Sequence, residues 1–75
     1  MKPLEPAVHS ALRDIVNNRS EKSLNWAVNY AQEGLSMTGE ELRVQCLYVL
    51  NNIVYWRGGL AKQVRATLKA FAGIK

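Results

Sequence analysis

Apolar residues recur at spacings of three and four along almost the whole chain, and no segment of useful length alternates apolar with polar positions. That period is the helical one, so the pattern predicts an all-α chain. Four segments stand out, at about 6–17, 20–33, 38–57 and 60–72. In the first, Pro6 suits an opening turn, where a missing N–H costs nothing. Val8, Ala11, Leu12, Ile15 and Val16 form one stripe, Arg13, Asp14 and Asn17 face away, and Asn17-Asn18 breaks the helix.

The second segment opens on Ser20, a good N-cap, with Glu21 favouring the positive end of the helix dipole. Leu24, Ala27, Val28 and Ala31 share its inner face. Gly34 is expected as a left-handed C′ residue, with Leu35 folding back in a Schellman close. The third segment starts at Thr38-Gly39-Glu40-Glu41, a capping box with Thr38 as N-cap and Glu41 at N3. It is expected to run to Arg57, where Gly58-Gly59 stops it. In the fourth, Leu60, Val64, Leu68 and Phe71 form the inner face and Gly73 ends the helix.

The third segment is apolar nearly all round. Leu42, Cys46, Val49, Ile53 and Trp56 make one face, and Val44, Tyr48 and Tyr55 a second. A helix apolar on every side is normally buried. The expectation is a compact four-helix domain packed around a central third helix. Leu24-Asn25-x-x-Val28 and Leu50-Asn51-x-x-Val54 share three residues, too few to establish a repeat.

Length and composition sharpen this picture. The chain has 75 residues, enough for one small domain, and at 48% hydrophobic and 21% charged it is too apolar for a disordered one. Residues 1–5 and 73–75 are expected to be flexible ends. A core of this size is modest, so the helix packing must be very good or a partner chain must help. The net charge of +4 suits nucleic acid, an acidic protein or an anionic surface, and equally a small basic protein that binds none of them. Cys46 is the single cysteine, so no internal disulfide forms and the cytoplasm is the expected compartment. The start of the chain has no apolar targeting core. The most apolar window, Val44 to Trp56, is too short for a membrane span and is interrupted by Gln45, Asn51 and Asn52.

Two surfaces emerge as candidates. Trp26 and Tyr30 are four apart, so they meet on one helix face, well away from Leu24, Ala27, Val28 and Ala31. An exposed Trp-Tyr pair is a reasonable interface anchor, unless another helix covers it. Val44, Tyr48 and Tyr55 are the second choice for a protein interface. The fourth segment carries Lys62, Arg65 and Lys69 on the face opposite Leu60, Val64 and Phe71, with Arg57 before it and Lys75 after it. Such a stripe suits phosphates, and it also suits plain solvation. The third and fourth segments match a helix-turn-helix weakly: Gln63, Arg65 and Thr67 point in different directions, and Val54 stands where a small residue is needed. Asn51 is either a register-setting buried amide or a solvent-facing spacer.

Catalytic and metal chemistry is poorly supplied. There is one His, one Cys and one Asp, and a His9–Cys46 dyad has no third group to position it. Glu40 and Glu41 are consecutive and are explained by the helix start. No metal-ligand spacing and no phosphate-binding glycine loop occurs. The sequence therefore leads to a non-enzymatic helical protein that binds another protein or a second copy of itself. Nucleic-acid binding through Arg57, Lys62, Arg65 and Lys69 is the alternative. No cofactor, metal, membrane or small-molecule substrate is expected. Short helical chains of this size are frequent in phage and mobile-element genomes, an expectation from class alone with no motif behind it.

Overall fold

The computed structural model describes residues 5–24 and 26–73. Four helices follow one another along the chain: α1 (Glu5–Asn17), α2 (Ala27–Gly34), α3 (Gly39–Asn51) and α4 (Gly59–Ala72). The all-α expectation holds. The helices close into a ring, with α1 against α2, α2 against α3, α3 against α4 and α4 back against α1. This ring replaces the expected central third helix. α3 buries one face, through Leu42, Gln45, Cys46 and Val49, and leaves Tyr48 half exposed. Of its other apolar residues, Leu47 and Leu50 are half-buried and pack against the core. The core lies inside the ring and includes Leu12, Ile15, Leu24, Leu42, Ile53 and Leu68, all fully buried.

α1 matches its expected span and its stripe. Val8, Ala11, Leu12 and Ile15 are buried and Val16 is half-buried at the edge. Of the two ends expected to be flexible, Glu5 belongs to α1 and Gly73 closes α4 with a left-handed φ of 83°. Residues 1–4, 74 and 75 lie outside the described residues, and Lys75 with them.

α2 begins seven residues later than Ser20. Three bonds, each from an N–H to the carbonyl three residues back, lead up to α2: Glu21 to Asn18 at 2.9 Å, Leu24 to Glu21 at 3.1 Å and Ala27 to Leu24 at 2.7 Å. The Glu21 carboxylate accepts from Ser23 N–H at 3.3 Å and Ser23 Oγ at 3.1 Å. Local side-chain bonds of this kind compete with a helix. The tight turns still deliver Leu24 and Ala27 into the core.

Gly34 is not a left-handed cap. Leu35 after it stays right-handed, at φ −63°, so no Schellman close forms. Gly34 is instead a buried point of close approach. A Cβ there would stand 2.8 Å from Leu12 Cδ1 and 3.3 Å from Gln45 Cγ. The glycine serves the packing of α1 and α3 on α2.

Thr38 is the N-cap of α3, in extended conformation, but its side chain makes no capping bond. The cap comes from another helix: Glu5 Oε2 accepts from Gly39 N–H at 2.7 Å. A carboxylate at the positive end of α3 is stabilising, and here it also ties α1 to α3.

α3 stops at Asn51, six residues before Arg57. Asn52 ends it with its own side chain. Asn52 Nδ2 donates to Tyr48 O at 2.8 Å, taking the carbonyl that Asn52 N–H would bond in a continuing helix, while that N–H turns to Val49 O at 2.9 Å. Ile53 and Trp56 nevertheless reach the core, joined by a turn from Trp56 N–H to Ile53 O at 3.1 Å. Val54 and Tyr55 between them are turned outward. The inner face expected of a long helix is thus supplied by a non-helical link.

α4 keeps Val64 and Leu68 of its expected inner face and differs at the two ends. Ala61, Val64, Leu68 and Ala72 are buried, whereas Leu60 is exposed and Phe71 half-buried. The suggested repeat has no structural counterpart. Leu24 is buried and Leu50 half-buried, Val28 half-buried and Val54 exposed, and Asn25 lies outside the described residues.

Candidate interaction surfaces

Trp26 precedes α2 in right-handed conformation, and Tyr30 N–H bonds Trp26 O at 3.3 Å. The two side chains are therefore one helical turn apart on one face. Trp26 is 63% exposed. Tyr30 is half-buried and stacks on Tyr48 of α3, with ring centroids 5.8 Å apart and planes 24° from parallel. Offset stacking at this distance is a favourable aromatic geometry. Tyr48 remains 51% exposed. Val44, one turn earlier on α3, is half-buried. The sequence offered the Trp26 pair and the α3 face as separate choices. The α2–α3 seam makes Trp26, Tyr30 and Tyr48 one strip.

Hydrogen bonds cross the seam beneath that strip. Gln45, a buried polar residue of α3, donates through Nε2 to Tyr30 O at 2.8 Å and to Glu33 Oε2 at 3.5 Å. Tyr55, the fifth residue of the expected interface, is 79% exposed but stands in the 52–58 link, off the face of α3.

That link forms a second feature, which sequence reasoning missed. Lys22 and Ser23 of the α1–α2 turns meet Asn51, Asn52, Val54 and Tyr55 around an open depression. Asn51 is exposed there, which makes it a solvent-facing amide and not a buried register residue. The only advance signal was the polar Asn51-Asn52 pair inside an apolar run. Its effect, the end of α3, could not be separated from a helix spacer by periodicity.

The basic stripe of α4 is divided. Arg57, Lys62 and Lys69 are exposed. Arg65 is half-buried and turned toward the 52–58 link, where Nη1 donates to Trp56 O at 2.6 Å and Ile53 O at 3.3 Å. Its guanidinium is committed to these two carbonyls, of which Ile53 O also accepts from Trp56 N–H. Gln63 and Thr67 instead border a shallow groove shared with Ala7, Ser10 and Asp14 of α1. The three residues suggested for base contacts are therefore spread over different directions. Arg43 donates through Nε to the Glu40 carboxylate and through Nη1 to Ala72 O at 3.3 Å. The Glu40 hydrogen bond and charge raise the guanidinium above its ordinary value.

His9 and Cys46 are separately employed. His9 Nε2 bonds Met37 O at 2.8 Å, tying α1 to the α2–α3 link. Cys46 is fully buried, and burial pushes its thiol up to about 11, the reverse of what a thiolate nucleophile needs. Among the described residues no group of three or more His, Cys, Asp or Glu is placed to hold a metal ion. Among the same residues no helix is long and apolar enough to cross a membrane.

Compared with known proteins, the chain matches no family model, no curated protein and no solved structure.

Proposed function

We propose that this chain is a non-catalytic protein-binding module that docks another protein, or a second copy of itself, through the strip formed by Trp26, Tyr30 and Tyr48. The observation that carries the reading is the exposure of Trp26 beside a stacked tyrosine pair. Trp and Tyr are enriched where protein interfaces concentrate their binding energy. The Gln45 bonds under the seam support it further, because a surface already held in place loses little freedom on binding. The unpaired, buried Cys46 fits action in a reducing compartment such as the cytoplasm.

The test is a comparison of baits. Trp26→Ala should keep the helical circular dichroism of the parent and lose the partner that the parent captures. Reversing Lys62 and Lys69 to Glu should leave capture intact. Light scattering of the pure protein at high concentration separates the two partner types: a mass twice that of one chain supports a second copy, and a monomer removes it. Capture unchanged in both Trp26→Ala and Tyr48→Ala would refute the strip. Nucleic-acid binding through the α4 face is less well supported, since Arg65 is spent on the carbonyls of Ile53 and Trp56.

A further inference from the structure

Charge is distributed unevenly along this chain. Every Asp and Glu lies within the first 41 residues, and Arg43, Arg57, Lys62, Arg65, Lys69 and Lys75 follow with no carboxylate among them. Arg43 and Arg65 are engaged inside the fold. The depression between the α1–α2 turns and the 52–58 link gathers a different set. Lys22 and Tyr55 line it, and Arg57 follows Tyr55 by two residues on the same exposed link. Among the described residues neither Lys22 nor Arg57 is in an ion pair. The neighbouring carboxylate, Glu21, is held by Ser23, itself a lining residue, at the edge of the depression.

An aromatic ring, an amide and a cation line the depression, and a second cation, Arg57, follows close by along the chain. The Tyr55 ring is largely open to solvent, and among the described residues it stacks on no other ring. Asn51 presents an exposed side-chain amide, a donor and an acceptor together. Lys22 and Arg57 supply cations. We propose that this depression is a binding site for single-stranded nucleic acid, with a base stacked on Tyr55, its edge read by Asn51, and flanking phosphates held by Lys22 and Arg57. Stacking platforms beside cations are how proteins hold single strands, because every base has a π face and every linkage a charge. A duplex hides base faces in its stack. A peptide of acidic residues alone would engage the cations but brings no ring to stack on Tyr55. The site is separate from the Trp26–Tyr30–Tyr48 strip, so it stands or falls independently of the protein-binding reading.

The experiment is fluorescence anisotropy of the full chain with labelled oligo-dT and oligo-rU across a series of salt concentrations. Binding should saturate, and Tyr55→Ala should weaken it by about fivefold or more, the lower end of the effect of removing one stacked base. Tyr55→Phe should retain it. Lys22→Glu with Arg57→Glu should lower the slope of log affinity against log salt by about 0.7 for each phosphate that is no longer neutralised. Lys62→Glu with Lys69→Glu should leave affinity unchanged. All these positions are exposed, and circular dichroism checks that each variant keeps its helices. Three results would overturn the proposal. One is no saturable binding at low salt. Another is binding that ignores Tyr55→Ala but disappears with Lys62 and Lys69, which moves the site to α4. The third is displacement by polyglutamate as effective as by unlabelled oligonucleotide, which makes the depression a site for acidic protein.

Discussion

Replacing Arg65 separates a structural guanidinium from a ligand-binding one. Its Nη1 donates to Trp56 O at 2.6 Å and to Ile53 O at 3.3 Å, so one hydrogen bond is short and the other lies at the long limit. Hydrogen bonds from a charged donor contribute about 1.5–3 kcal/mol each. The long bond supplies little of that, and Arg65 is only half-buried, so water reaches the carbonyls once the side chain is shortened. Arg65→Met, which keeps the apolar stem, should therefore cost about 2 kcal/mol. A domain of this length has a total stability of about 4–11 kcal/mol, so the loss is a large share of it. The melting temperature should fall by about 10 °C. Urea unfolding followed by tryptophan fluorescence reads the effect, because Trp56 is 5% exposed and changes environment on unfolding. A Trp26→Phe background removes the signal of the exposed indole. Arg65→Lys should recover part of the loss, since an ammonium lacks the planar fork of a guanidinium. Stability of Arg65→Met within about 0.5 kcal/mol of the parent would refute the account and return Arg65 to the solvated stripe.

Three further outcomes follow from the packing. Gly34→Ala should destabilise the fold by about 1–3 kcal/mol, because the new methyl meets Leu12 Cδ1 at 2.8 Å; calorimetry showing no loss would mean that Leu12 moves aside freely. Trp56→Ala should cost about 3–5 kcal/mol, whereas Trp26→Ala should cost little, and equal losses in urea would contradict the burial of one and exposure of the other. The Cys46 thiol, raised from 9.0 to about 11, keeps its proton in the folded chain at a pH where the unfolded chain has released it. Its contribution is therefore fully present below about pH 9 and is lost as pH rises toward about 11. Comparing the parent with Cys46→Ala across that window isolates the slope; identical pH profiles would refute it.

The sequence by itself was enough for the helix count, the stripe of α1, the starts of α3 and α4 and the stop at Gly73. Each rests on local rules: a period of 3.6 residues, an extended cap residue, and a glycine free to take positive φ. It also placed Ile53 and Trp56 inside, because any right-handed turn brings residues three apart to one side. Tertiary structure decided where local signals compete. Ser20 could cap a helix, but the Glu21 carboxylate bonded Ser23 and the chain took tight turns until Leu24 and Ala27 were buried. Asn52 could continue α3, but its side chain took the Tyr48 carbonyl. Gly34 looked like a cap, and only the approach of Leu12 and Gln45 shows why no side chain fits there. Arg65 looked like a surface cation until the break in α3 left two carbonyls within its reach. Periodicity reports which residues of one helix share a face. It carries no information about which carbonyl is left unbonded, or which neighbouring helix arrives to meet it, because those depend on contacts between residues distant in the chain.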